Sequence, residues 1–131
     1  MRILLDTHVL LWALVEPERL DQDSRAAIRS GVNAVLFSSA SIWEIAIKAG
    51  LRRADFVVDP VEVVREAVAA GLTELALRSS AAVLVAELPP LHRDPFDRVL
   101  IAQAIAEPAF LYTADQRLSA YSELVRQVGA R

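Results

Sequence analysis

The chain reads as a single α/β domain with a central, mostly parallel sheet flanked by helices. Short apolar runs of strand length alternate with helical stretches, and each pair of parallel strands needs such a crossover. Runs such as Ile3-Leu4-Leu5 and Ala34-Val35-Leu36-Phe37 are continuously apolar, the pattern of strands covered on both faces. With 131 residues, 54% of them hydrophobic, the chain suffices for one continuous core, and no repeat or low-complexity linker divides it.

The first strand is expected over residues 2–5. A short apolar helix follows over 8–15 and stops near Glu16-Pro17, because proline restricts the residue before it. Residues 21–30 form the next helix, with polar starters, apolar positions at Ala26, Ala27 and Ile28, and Gly31 as its stop. A second strand occupies 34–37. The helix over 38–49 carries Ile42, Ile45, Ala46 and Ala49 at spacings of three and four, with Gly50 at its C′ position. Asp59-Pro60-Val61-Glu62 is a strong helix start, with an N-cap acid, proline at N1 and glutamate at N3; Gly71 ends that helix. A third strand is expected over 72–77, then a helix capped by Ser79 or Ser80 and reaching about Glu87. Pro89-Pro90 breaks the chain before a helix over 94–106, and Pro108 separates that helix from a strand at 110–112. The tail, 116–131, is expected to hold a helix and a last strand.

Composition narrows the function. The mean hydropathy is +0.34, yet charged residues interrupt every apolar run well short of bilayer length, so no membrane span is expected. Cysteine is absent, which removes disulfides, thiolate ligands and cysteine nucleophiles and suits a reducing cytoplasm. No secretory signal is expected, since Asp6 and His8 interrupt the apolar stretch after Arg2. The net charge of −3 argues against a broad basic surface for nucleic acid. Four acids discussed next account for more than all of that deficit, and bound divalent cations would cancel it locally.

Those acids are Asp6, Glu44, Asp97 and Asp115, each placed where an apolar run gives way to a turn or a helix start. In a parallel α/β sheet, ligands bind beyond the carboxyl ends of the strands, where the following helices begin. Asp6 closes the first strand and needs partners to stay charged, although it also suits the cap of the helix that follows. Glu44 has a structural explanation: Ser41-x-x-Glu44 is a capping-box pattern, and Glu44 and Lys48 form an i, i+4 ion pair. In Asp94-Pro95-Phe96-Asp97, Asp94 is the N-cap and Asp97 occupies N3, so one acid caps while the other is free for metal. Asp115 also suits a helix cap. Only convergence of the four on one crevice, within metal-bridging distance of one another, makes a divalent-metal site, with oxygen ligands of the kind Mg²⁺ or Mn²⁺ prefers. Other chemistries lack their motifs. There is no HExxH, and His8 and His92 read as isolated; GxSxG, GxxxxGK[ST] and GxGxxG are all absent.

The chain resembles the PIN domain family, specifically its VapC-type toxin ribonucleases. The resemblance spans nearly the whole of a single PIN-like domain, residues 1–131. It rests on the apolar strand ending in Asp6-Thr7, on Ser38-Ser39-Ala40-Ser41-Ile42-Trp43-Glu44, on Asp97-Arg98-Val99-Leu100-Ile101-Ala102-Gln103-Ala104, and on Thr113-Ala114-Asp115. Two positions depart from the family pattern: His8 stands where many members carry Asn, and Leu118 where an aromatic is common. The resemblance implies metal-dependent endonucleolytic cleavage of RNA, with metal-binding and catalytic roles for Asp6, Glu44, Asp97 and Asp115. Asp6, Asp97 and Asp115 would be direct or water-mediated ligands, Glu44 a ligand or an orienter of the attacking water, and Thr113 a support for Asp115 or a water. A carboxylate-held Mg²⁺ or Mn²⁺ makes water more acidic and steadies the phosphodiester oxygens.

Lys48, Arg52, Arg53, Arg93 and Arg98 lie near the acids in sequence and are the candidates for gripping RNA phosphates. The resemblance further implies a cognate small antitoxin that blocks the cleft, and a homodimer. Trp12, Leu14, Val15, Trp43 and Ile47 are candidates for contact surface or for core. Two other functions compete. A non-catalytic PIN-like RNA-binding or scaffold protein predicts that the acids matter only as caps. A Mg²⁺-dependent phosphatase or receiver-like domain expects a lysine after a late strand, and none follows Phe110.

Overall fold

A computed structural model describes residues 1–51 and 58–129. The apolar runs become β1 (Arg2–Leu5), β2 (Ala34–Ser38), β3 (Thr73–Leu75), β4 (Phe110–Thr113) and β5 (Val125–Gln127). They form one sheet in the order β3-β2-β1-β4-β5, and every pairing is parallel. In the central strand β1, Leu5 lies level with Phe37 on one side and Tyr112 on the other.

Side-chain alternation explains why these runs are apolar throughout. Ile3, Leu5, Val35, Phe37 and Tyr112 join one buried cluster, which includes Val9 and Leu10 of α1 (Thr7–Val15) and Val63 and Ala67 of α4 (Pro60–Ala69). Leu4, Leu36 and Leu111 face the opposite cluster, built on Leu100, Ile101 and Ala104 of α6 (Pro95–Ala106). Helices α2 (Gln22–Arg29), α3 (Ser39–Gly50) and the single turn α5 (Ser79–Ala82) complete the α-helices among the described residues. Among the described residues, no helix is long and apolar enough to cross a membrane.

Caps set the helix limits. Asp6, Asp21, Asp59 and Asp94 each accept a backbone N–H of the helix they precede, the role expected of Asp59 and Asp94. At the end of α4, Gly71 has φ +90°, its N–H donates to Val68 O, and Leu72 N–H donates to Ala67 O. That is a Schellman stop, in which glycine takes the left-handed position without Cβ strain.

Three expectations shift. Helix α3 is capped by the Ser38 hydroxyl and continues through Gly50 to a C-cap at Leu51. Ser41 therefore lies inside the helix, and the Ser41-x-x-Glu44 capping box does not form. Neither Ser79 nor Ser80 caps α5, whose N-cap is Arg78 with no side-chain hydrogen bond, and the chain continues as a 3₁₀ helix over Val83–Glu87. The helix expected in the tail is a 3₁₀ turn over Gln116–Ala120 before β5.

The chain runs outward from β1 through β2 to β3, then returns to β4 and β5 on the other side. Connectivity thus reverses between β1 and β4, and a crevice opens beyond their carboxyl ends. Leu4 lies at the centre of this frame with no exposed surface. Leu4→Ala is expected to lower unfolding stability by about 2–5 kcal/mol, whereas Val32→Ala, at a position 86% exposed, changes it by less than about 0.5 kcal/mol. Urea denaturation of the two variants checks this pair of values.

Candidate functional site

A cleft of about 330 Å³ occupies that crevice. Asp6, Glu44, Asp97 and Asp115 all line it, together with Asp94, Lys48, His92 and Arg117. Asp6 follows the last residue of β1, and its backbone N–H donates to Tyr112 O of β4. Its Oδ1 accepts the Val9 N–H at 2.8 Å, so the N-terminus of α1 fixes the carboxylate. The side chain is 5% exposed. Burial pushes the Asp6 carboxyl up from 3.8 to about 6, against the lowering effect of the Thr113 hydroxyl and the Val9 amide.

Glu44, on the second turn of α3, is bound on both oxygens. The Thr7 hydroxyl donates to Oε1 at 2.7 Å and lies 3.0 Å from Ser41 Oγ, and Lys48 Nζ reaches Oε2 at 2.8 Å. The Glu44–Lys48 pair expected from spacing is therefore present. Asp94 Oδ1 accepts the Phe96 and Asp97 N–H groups, which leaves Asp97 free of capping. Burial raises the Asp97 carboxyl above its ordinary value, reinforced by Asp94 and Glu44 and opposed by a hydrogen bond with His92. Asp115 is both cap and ion-pair partner. Its Oδ1 accepts the Arg117 backbone N–H, Arg117 Nε and Nη2 grip its two oxygens at 3.0 and 2.9 Å, and this contact holds the carboxyl below its ordinary range. Thr113 Oγ1 accepts the Asp115 N–H, so the threonine serves both Asp6 and Asp115.

The tightest donor set is not the expected one. Among the described residues, His92, Asp94 and Asp97 form the one trio of possible metal-binding side chains with ligand atoms all within 4.8 Å of one another. The four expected acids share the cleft without forming such a group, because Thr7 and Lys48 hold Glu44 toward α1 and α3 while Arg117 holds Asp115. His92 does not stand isolated, as its place in the sequence suggested. Its side chain is 8% exposed, with Nε2 2.8 Å from Asp97 Oδ2 and 3.8 Å from Asp115 Oδ2. The loop brings it there, and no spacing rule announces it.

The basic candidates divide. Lys48 lines the cleft, and Arg117, absent from the sequence-based set, lines it too. Arg93 is exposed outside it. Arg98 turns its guanidinium onto the carbonyl oxygens of Val85, Leu88, Pro89 and His92, where it clasps the loop before α6. Arg52 and Arg53 lie outside the described residues. His8 is exposed at the cleft with its ring 6.2 Å from that of Trp12. Trp43 packs edge-on against Phe96 at 5.2 Å, tying α3 to α6, yet it is 60% exposed.

A profile of the PIN domain family matches residues 3–124. The chain belongs to the PIN domain family. This PIN domain is 30% identical over 120 residues to Ribonuclease VapC22 of Mycobacterium tuberculosis, an alignment covering 91% of each chain. Its fold is similar to that in the crystal structure of VapBC2 from Rickettsia felis bound to a DNA fragment from their promoter. The TM-score is 0.71 with 15% identity, covering 98% of this chain and 99% of the other.

The raised Asp6 carboxyl has a thermodynamic consequence. The folded chain holds that proton between about pH 4 and 6 where the unfolded chain releases it, so this contribution to stability is complete below pH 4 and lost as pH rises through about 6. At 1.36 kcal/mol per pH unit, the loss is about 3 kcal/mol. Asp6→Asn keeps an N-cap oxygen and removes the charge. In chelator-treated protein it is expected to raise the melting temperature at pH 7.5 and to flatten the stability change between pH 4 and 6, as measured by thermal denaturation across pH.

Proposed function

We propose that this PIN domain is a metal-dependent endoribonuclease, the toxin of a toxin–antitoxin pair, which cleaves RNA phosphodiesters with a carboxylate-held Mg²⁺ or Mn²⁺. The observation that carries the reading is the meeting of Asp6, Glu44, Asp97 and Asp115 in one cleft at the β1/β4 reversal. The donor set fits such an ion. Five carboxylates, counting Asp94, face a space lined, among the described residues, by two side chains of fixed positive charge, Lys48 and Arg117, and hard divalent cations seek this density of oxygen ligands. Family membership and the VapC22 relative support the nuclease reading; the VapBC2 neighbour supports a partner of the antitoxin kind.

A bound divalent cation would supply a more acidic water and charge stabilisation for the phosphodiester oxygens. The chain's own residues do the rest. Asp6, held by Val9 and Thr113, offers an oxygen from the rigid sheet edge, and positive charge nearby would favour its ionised form. Asp97 offers a second oxygen from the first turn of α6, and Glu44 a third once its Lys48 contact loosens. Asp115 completes the ring from the end of β4. Lys48 and Arg117 would meet phosphates once their acids turned to the ion, and Arg93, exposed outside the cleft, is a further candidate for that grip; Arg52 and Arg53, expected from the sequence to share it, lie outside the described residues. The small antitoxin would cover the cleft. Trp43, Ile47 and Leu51, exposed and spaced by four along α3 and its C-cap, offer apolar surface for the antitoxin or for a homodimer. The cytoplasm is the compartment this reading assigns.

RNA cleavage by purified wild type is expected to require Mg²⁺ or Mn²⁺, and to fall at least about 100-fold in Asp6→Asn and in Asp97→Asn. Equal cleavage by all three proteins would overturn the metal-nuclease reading, and no cleavage by metal-loaded wild type would favour the non-catalytic one. In the Asp97→Asn background, neutralising Lys48 and Arg117 together is expected to weaken single-stranded RNA binding and to reduce the slope of log affinity against log salt by about 1.4, for two phosphate contacts. A titration across salt concentration reads that slope.

A further inference from the structure

His92 lies in the cleft, yet neither the family pattern nor the four-acid scheme assigns it a role. We propose that His92 is a nitrogen ligand of the divalent-metal site and that it biases the site toward Mn²⁺ over Mg²⁺. The inference rests on the reading of the cleft as a metal centre and names the ion that centre selects.

The distances carry the proposal. In octahedral coordination with bonds of about 2.1 Å, neighbouring ligand atoms stand about 3.0 Å apart and opposite ones about 4.2 Å. His92 Nε2 is 2.8 Å from Asp97 Oδ2 and 3.8 Å from Asp115 Oδ2. The first spacing is close to that of adjacent ligands and the second lies between the two values. His92, Asp94 and Asp97 also present ligand atoms within 4.8 Å of one another. One cation can therefore engage the imidazole and Asp97 with small adjustments of either side chain.

The ring is also held from behind. Arg98 donates to the carbonyls of Val85, Leu88, Pro89 and His92 itself, pinning the loop that carries the imidazole. With 8% of its side chain exposed, His92 has little freedom to leave the cleft. Arg98 is thus a positioning residue for His92.

Ligand chemistry supplies the selectivity. Carboxylate and water suit Mg²⁺ and Mn²⁺ alike, whereas imidazole suits transition ions and is a poor partner for Mg²⁺. One nitrogen among carboxylate oxygens keeps the site hospitable to Mn²⁺ while weakening its hold on Mg²⁺ relative to an all-oxygen set. A plain His92–Asp97 hydrogen bond that only orients the acid would have no such effect.

Pulsed electron paramagnetic resonance of Mn²⁺-loaded wild-type protein is expected to show coupling to a directly bound nitrogen. Calorimetric titration with Mn²⁺ and Mg²⁺ is expected to show Mn²⁺ affinity falling at least about tenfold in His92→Ala and in His92→Gln, with Mg²⁺ affinity changed far less. Mn²⁺ binding that is lost in Asp97→Asn, but shows no nitrogen coupling in wild type, would overturn the His92 assignment and leave the metal centre standing. An unchanged ratio of Mn²⁺ to Mg²⁺ affinity in both His92 variants would also overturn it. Folded wild-type protein that binds neither ion would remove the metal centre and this inference together.

Discussion

Negative charge gathered at the carboxyl edge of the sheet is the constraint on which the rest of the structure depends. Both faces of the sheet are taken by apolar clusters, so polar function is confined to the strand ends. There, Asp6, Glu44, Asp94, Asp97 and Asp115 share one crevice. A carboxylate removed from water is costly unless it is paired or bonded, and each acid responds in its own way. Asp115 is gripped by Arg117 and stays acidic, Glu44 is bound by Thr7 and Lys48, and Asp6, buried at the end of β1, shifts toward its protonated form.

Capping a helix and facing the cleft are compatible uses of one carboxylate. Asp6 and Asp94 each give one oxygen to helix N–H groups, and that contact aims the rest of the carboxyl group. A helix N-terminus stabilises the negative charge, and because helices in a parallel α/β sheet start at the strand carboxyl ends, capping acids and cleft acids collect at the same edge. The exception is Glu44. Its capping role disappears once Ser38 starts the helix, and the glutamate then reaches across to Thr7, linking α3 to the first turn of α1.

Much of the fold was legible in the chain because its signals are local. Continuous apolar runs marked β1, β2 and β4; Asp59-Pro60 and Asp94-Pro95 marked two helix starts; Gly71 marked a stop that only a left-handed residue makes cheaply. The misread pieces were those with competing local signals. Three serines at Ser38, Ser39 and Ser41 all suit a cap, and the buried pairing of Ser38 with Gln103 helps select among them. Gly50 carries the stop signature of Gly71, yet the helix runs through it.

The sequence by itself determined the parallel α/β class, the acids at element boundaries and the Glu44–Lys48 pair, since each follows from periodicity or from spacing within one helix. Tertiary structure decided which side chains meet. His92 reaches Asp97 and Asp115 because Arg98 pins its loop; Arg98 itself faces carbonyls; and Arg117 rather than Arg93 stands in the cleft. These pairings depend on how loops fold back over the sheet edge, and nothing in the spacing of residues encodes the direction in which a loop side chain points.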